Sequence, residues 1–117
     1  MSSTSPFGNL PVWDQQAAMV STGGDPDLAR SLLAGLVVQL PGDLAVMRRF
    51  AASADLAQLA EKAHKTRGGA LYCGVPALVA ALGRLDQDAR SGDAALAAEA
   101  LARVADEIRR LRELDLS

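Results

Sequence analysis

Cysteine, histidine and aromatic residues are scarce in this chain of 117 residues, and its net charge is small. The single cysteine, Cys73, excludes an internal disulfide. Together with the single histidine, His64, it offers too few ligands for a zinc or iron site, so we expect no metal site in the chain. We interpret Cys73 as a small buried residue near a helix end. Nucleic acid and anionic membrane surfaces bind to basic faces, and the net charge of −2 does not suggest one. Neither is therefore an expected partner.

Long apolar runs are absent as well. No run reaches the roughly 18 residues that a membrane span needs, and residues 1–10 lack the charged-then-apolar pattern of a signal peptide. We therefore expect a cytoplasmic protein. Alanine and leucine dominate an apolar fraction of 50%, whereas isoleucine and threonine are scarce. This composition favours closely packed helices over sheets, in a single domain.

Cap and turn signals divide the chain into a tail and five helices. Residues 1–11 are predicted to form a flexible N-terminal tail, and residues 12–117 the folded domain. The predicted helices cover residues 14–21, 26–51, 55–72, 76 to the turn at 91–93, and 94–114. Pro41 is expected to kink the second helix or split it in two. The pattern predicts an all-α fold, an antiparallel four-helix bundle with a short extra N-terminal helix across one end.

Apolar residues recur at helical spacing in the four long segments and predict one shared core. In the second segment, leucines stand four residues apart from Leu28 to Leu44. The predicted core includes Leu32, Leu36, Val79, Leu82, Val104 and Ile108. Trp13 is expected to be a core or lid residue. The Arg, Glu and Asp side chains of the last helix are expected to form a solvated face.

The only histidine, His64, lies in the third predicted helix, at the edge of its apolar stripe. Gly68 lies one turn later on the same side and is followed by Gly69. Each glycine costs a helix about 0.8–1 kcal/mol relative to alanine, a cost that an alanine-rich chain could avoid. We therefore interpret the pair as giving a partner access to the imidazole ring. Arg67, three residues after the histidine, can reach an anion held on that ring.

The segment His64-Lys65-Thr66-Arg67-Gly68-Gly69 resembles the His-x-x-Lys/Arg-Gly-Ser/Ala motif of histidine-containing phosphotransfer (HPt) domains. The continuation Leu71-Tyr72-Cys73-Gly74-Val75-Pro76-Ala77-Leu78 is similar to HPt domains of GacS/BarA-type hybrid sensor histidine kinases. The similarity runs from about residue 13 to about residue 111. Thr66 replaces the usual leucine and Gly69 stands at the small-residue position. Neither departure removes a group that the chemistry needs.

The resemblance implies a phosphotransfer module in a multistep His-Asp phosphorelay of bacterial two-component signal transduction. His64 would accept a phosphoryl group from a receiver-domain aspartate and pass it to a response-regulator aspartate. Arg67 would offset the charge of the phosphoryl oxygens, and Gly68 would give clearance. The supporting or docking candidates are Glu61, Lys65, Gly69 and Leu71. Of these, Glu61 either orients the imidazole ring or contacts a partner.

The sequence has no phosphate-binding glycine loop and no kinase signature set. We therefore expect a phosphocarrier without ATP-dependent kinase activity, with Mg²⁺ supplied by the partner receiver domain. The expected partners are response-regulator receiver domains and a hybrid sensor histidine kinase, and the chain is expected to be a monomer. The alternative is a helical docking or scaffold module that binds a receiver domain or kinase without carrying phosphate. A small-molecule or metal enzyme is the weakest interpretation.

Overall fold

The computed structural model describes residues 10–114, which form five helices and contain no strand. The helices are α1 (Gln15–Ser21), α2 (Pro26–Ala52), α3 (Leu56–Ala70), α4 (Pro76–Arg90) and α5 (Ala94–Arg112). Connections of three residues join α2 to α3 and α4 to α5, and five residues join α3 to α4. Such short connections make consecutive helices antiparallel neighbours. Because α2 also packs against α5, the four long helices close into the predicted bundle.

Aspartate side chains begin four of the five helices. Asp14, Asp25, Asp55 and Asp93 each accept a hydrogen bond from a backbone N–H of the first helical turn. These bonds satisfy donors that have no partner inside the helix. Helix α4 instead begins with Pro76, whose missing N–H needs no partner.

Pro41 does not split α2, which is continuous from Pro26 to Ala52. By length and mean hydropathy alone this helix could cross a membrane. In the fold, however, one side of it packs into the bundle against α3 and α5. That side includes Asp43, which is 7% exposed and forms a 3.0 Å ion pair with Lys62 of α3. Bundle packing therefore accounts for part of the apolar character of α2, whereas Leu28, Leu32 and Val38 of the same helix are exposed.

Four of the six predicted core residues are confirmed as buried, namely Leu36, Leu82, Val104 and Ile108. Val79 is half-buried and packs against this core. The prediction for Leu32 is wrong, because its side chain is 39% exposed and Leu33 is buried instead. A spacing of four residues advances about 40° beyond a full helical turn. The leucines from Leu28 to Leu44 therefore fan out over about 160°, and the first two leave the core.

The last helix also departs from the prediction at one position. Its expected solvated charged face does not include Glu107, which is only 1% exposed. Glu107 falls between the core residues Val104 and Ile108 on the inward side of the helix. Its Oε1 atom lies 3.8 Å from Arg110 Nε, which places a cation beside the buried carboxylate.

The N-terminal segment is fixed to the connection between α3 and α4. Residues 1–9 of the predicted flexible tail lie outside the described residues, whereas the Pro11 carbonyl accepts a hydrogen bond from Ala77 N–H at 3.3 Å. Asp14 N–H donates to the Gly74 carbonyl at 2.7 Å. Gly74 has a φ of +69°, and a Cβ atom there would overlap the backbone of Asp14 and lie 2.9 Å from Ala18 Cβ. A glycine is therefore required where α1 crosses the end of the bundle.

We predict that Gly74→Ala destabilises the protein more than Gly92→Ala. Both positions have a positive φ, but a Cβ atom at Gly92 would meet no heavy atom within 4 Å. The left-handed conformation costs a non-glycine residue about 1–3 kcal/mol, and only Gly74→Ala adds a steric overlap. Chemical denaturation of both variants measures the difference. Equal losses of unfolding free energy in the two variants would contradict the prediction. They would show that α1 moves away from the added methyl group without a measurable loss of stability.

Candidate functional site

His64 lies on the outside of α3, next to the buried side of that helix. The side that faces the bundle consists of Leu59, Ala60, Ala63, Thr66 and Ala70. The His64 side chain is 60% exposed, although its backbone belongs to a regular helix. The imidazole ring is thus held by a rigid element and is open to solvent.

Asp86 of α4 stands beside the imidazole ring. The distance between His64 Nδ1 and Asp86 Oδ2 is 3.5 Å, and the Asp86 side chain is only 18% exposed. The other carboxylate oxygen, Oδ1, accepts a hydrogen bond from Arg90 Nε one turn further along α4. Because Nδ1 faces the carboxylate, Nε2 is the ring nitrogen on the side away from Asp86. The arrangement can hold a proton at Nδ1 and leave a lone pair at Nε2.

The Arg67 side chain extends from α3 to the surface of α4. A Cβ atom at Gly83 of α4 would lie 3.5 Å from Arg67 Nε and 3.9 Å from Arg67 Cδ. Arg67 is half-buried at this place. A cation therefore rests against the same helix that carries Asp86.

Neither glycine after Arg67 is required by crowding. Gly68 and Gly69 are both exposed, and a Cβ atom at either position would meet no heavy atom within 4 Å. Both belong to the regular helix α3, and neither has a positive φ. The internal packing of the described chain therefore does not explain them, which supports the interpretation that they serve a partner's access.

The four supporting candidates are all exposed on or directly after α3, namely Glu61, Lys65, Gly69 and Leu71. Glu61 Oε1 is 4.0 Å from Lys65 Nζ, and both side chains are exposed. The carboxylate at the imidazole nitrogen belongs to Asp86, not to Glu61. Leu71 is 48% exposed and adjoins Tyr72, which is 66% exposed. These two side chains give the end of α3 an apolar surface that a partner could cover.

Sequence reasoning missed Gly83, Asp86 and Arg90. Their spacing of three and four residues puts them on one face of α4, and this stripe was the available signal. Its relation to His64 depends on the register between two helices, which no local pattern contains.

Cys73 is buried, as predicted, and lines a groove of about 330 Å³ between α2 and α3. Its Sγ atom lies 3.7 Å from the Leu32 carbonyl oxygen and 3.8 Å from that of Gly69. Burial raises the pKa of the Cys73 thiol. Among residues 10–114, no group of three or more His, Cys, Asp or Glu side chains is placed to hold a metal ion.

We expect Cys73 to react slowly with iodoacetamide while the protein is folded. The raised pKa lowers the thiolate fraction at mildly alkaline pH, and the thiolate is the reactive form. Burial also blocks the reagent, so alkylation should be at least about tenfold slower than in the denatured chain. Mass spectrometry of timed samples measures both rates. Similar alkylation rates in the folded protein and in the denatured chain would contradict this prediction and would show that the end of α3 opens readily.

Comparison with known proteins places these features in a family context. The family model of the Hpt domain matches residues 31–114. The chain is 36% identical over 85 residues to the sensor histidine kinase GacS of Pseudomonas protegens. The aligned region covers 73% of the chain and 9% of that protein. The chain is 35% identical over 75 residues to the sensor protein GacS of Pseudomonas syringae pv. syringae, covering 64% of the chain and 8% of that protein. The chain thus spans less than a tenth of the length of either relative. No solved structure matches it.

Proposed function

Because this chain belongs to the Hpt domain family, we propose that it carries a phosphoryl group on His64 between the aspartates of two receiver domains. The observation that carries the proposal is the exposed imidazole ring of His64 with Nδ1 directed to Asp86. A nucleophile held in this way can meet a partner's phosphoaspartate without any rearrangement of the bundle. Resemblance to the GacS sensor kinases supports a place in a phosphorelay.

In the proposed transfer the Nε2 lone pair of His64 attacks the phosphorus atom of an aspartyl phosphate. The Nε2–P bond forms while the P–O bond to the aspartate breaks, and the electron pair of that bond stays on the leaving carboxylate. The ring keeps its proton at Nδ1 and gains positive charge, which the Asp86 carboxylate offsets. The reverse steps deliver the phosphoryl group to the next aspartate.

The chain supplies position and charge for this reaction. Phosphoryl transfer depends mainly on positioning and electrostatic stabilisation. Arg67, held near α4, offsets the charge of the phosphoryl oxygens, and the open surface at Gly68 admits the partner. The Mg²⁺ ion and its carboxylate ligands come from the receiver domain in this proposal. The chain acts as a phosphocarrier without kinase activity of its own.

The proposed partners are the receiver domains of a hybrid sensor histidine kinase and of a response regulator. We propose that the chain meets them in the cytoplasm as a monomer. The exposed Leu71 and Tyr72 beside the site suit docking with or without phosphotransfer. The alternative of a docking module that carries no phosphate therefore depends on whether His64 reacts.

We predict that His64→Gln abolishes phosphate acceptance while the fold and its stability remain. The exposed ring contributes little packing, and surface substitutions usually change the unfolding free energy by less than about 0.5 kcal/mol. No other side chain offers a neutral nitrogen nucleophile near pH 7, because lysine is protonated there. Transfer of radiolabel from a phosphorylated receiver domain measures acceptance, and circular dichroism checks the fold.

Arg67→Ala is a second variant for the same experiment, and we expect it to lose only part of the transfer rate. It should slow transfer about tenfold or more, because a charge-assisted contact is lost while the nucleophile remains. Labelling of His64→Gln at the parent level would refute the phosphotransfer assignment and favour the docking module.

We predict that Gly68→Gln slows transfer although the fold remains intact. The new side chain would stand beside the imidazole ring, and its Cβ atom would meet no heavy atom within 4 Å. Gly42→Gln in α2 is the matched control, since Gly42 is also exposed and uncrowded. Both changes should raise helix stability by about 0.5–1 kcal/mol. If Gly68→Gln transfers at the rate of the control, the access interpretation is wrong.

A further inference from the structure

The outward side of α2 carries no charge over most of its length. From residue 31 to residue 47 the only charged residue is Asp43, and its carboxylate is buried in the ion pair with Lys62. An 18-residue stretch of α2 that is apolar enough to cross a membrane is only 33% buried in the bundle. Much of an apolar helix therefore faces outward without a partner in the described chain.

One line of residues runs along the middle of this outward side, opposite the buried leucines of α2. Its members are all exposed and fall within about 60° around the helix axis. This outward line consists of Asp27, Ser31, Ala34, Val38, Ala45 and Arg49. Val38 is 81% exposed and stands midway between the two charged residues in sequence. The line thus has an acidic end, an uncharged middle and a basic end.

We propose that a second copy of this chain covers the outward line, with the two α2 helices antiparallel and Val38 on the two-fold axis. Reversal about Val38 places Asp27 of each copy opposite Arg49 of the other, and Ser31 opposite Ala45 in between. Within the described residues neither Asp27 nor Arg49 forms an ion pair of its own. A parallel pair would instead bring like charges together. The outward line is therefore complementary to its own reverse, as a two-fold interface requires.

Apolar contact supplies the attraction in the proposed pair. Leu28, Leu32 and Val38 are exposed apolar side chains of α2, and their removal from water favours association. The small side chains on either side of Val38 allow the two helices to approach closely. The Asp27–Arg49 contacts lie at the solvent-exposed ends, where an ion pair adds little affinity but fixes orientation.

Pairing through α2 leaves the histidine of both copies open. Helix α2 packs against α3 and α5, whereas His64 lies on the side of α3 that meets α4. The outward line is one helix wide and about 33 Å long, far less than the roughly 2,000 Å² that permanent dimers bury. We therefore expect a weak and reversible pair, so that the dilute chain remains the monomer that meets receiver domains. The pair does not require that His64 carry phosphate.

Sedimentation of the 117-residue chain over a range of about 5 to 500 μM tests the pairing, with an expected Kd of about 10–100 μM. Val38→Glu should remain a monomer throughout, because two carboxylates would meet at the two-fold axis. The matched control is Val20→Glu on α1, since Val20 is 82% exposed, and it should pair like the parent. A parent chain that is monomeric at the highest concentration would overturn the proposal, as would pairing of Val38→Glu at the parent level.

Charge reversal tests the antiparallel register. Asp27→Arg and Arg49→Asp should each weaken pairing by about tenfold or more, and the double variant should recover most of the loss because opposite charges meet again. Arg48→Asp is the matched control, since Arg48 is exposed but lies about 100° away from Arg49 around the helix. Thermal unfolding of the dilute variants checks that each monomer is folded. A double variant that pairs no better than the single variants would overturn the register.

The same variants distinguish a second copy from a receiver domain as the partner of α2. Transfer from a phosphorylated receiver domain is measured at about 1 μM chain, well below the expected Kd, where Val38→Glu and Val20→Glu should react at equal rates. Slower transfer by Val38→Glu alone, with a parent chain that stays monomeric, would assign the outward line to the receiver domain and overturn the proposal. If no variant and no parent chain accepts phosphate, the phosphotransfer function is refuted, and the sedimentation results still decide the pairing.

Discussion

The packing of α3 against α4 is the interaction on which the site depends. It is the most extensive helix–helix contact in the described chain, and the buried sides of both helices are rich in alanine. The buried alanines are Ala60, Ala63 and Ala70 of α3 and Ala77, Ala81 and Ala89 of α4. Small side chains let two helices approach closely, and close packing permits little sliding. The register thus sets Asp86 opposite His64 and Gly83 opposite Arg67.

Glycine has two different roles in this structure. At Gly74 the backbone requires it, because φ is positive and the N-terminal segment crosses directly above. At Gly68 and Gly69 nothing inside the described chain requires it, and the helix would gain stability from alanine. Gly35 and Gly42 of α2 are equally uncrowded, so the lack of crowding alone does not mark a surface shaped for a partner. For Gly68 and Gly69, the position beside the only histidine supports the access interpretation.

The errors of prediction share one cause. Leu32 was placed in the core because leucines recur every four residues, whereas a helix repeats every 3.6. Glu107 was placed on the surface because it is charged, although its position in the repeat of α5 points inward. In both cases the helical phase of the residue was not followed closely enough. Phase decides burial, since the side that meets the neighbouring helices is set by rotation about the helix axis.

The sequence by itself determined the class of the fold, the starts of the helices and the residue most suited to nucleophilic chemistry. These are local properties, because caps, prolines and helical periodicity act within a few residues. Only the tertiary structure decided which carboxylate faces His64 and where Arg67 rests. Glu61 is near in sequence, yet Asp86, 22 residues away, stands at the ring. The reason is that the register of two packed helices depends on side chains along both of them, which no single segment specifies.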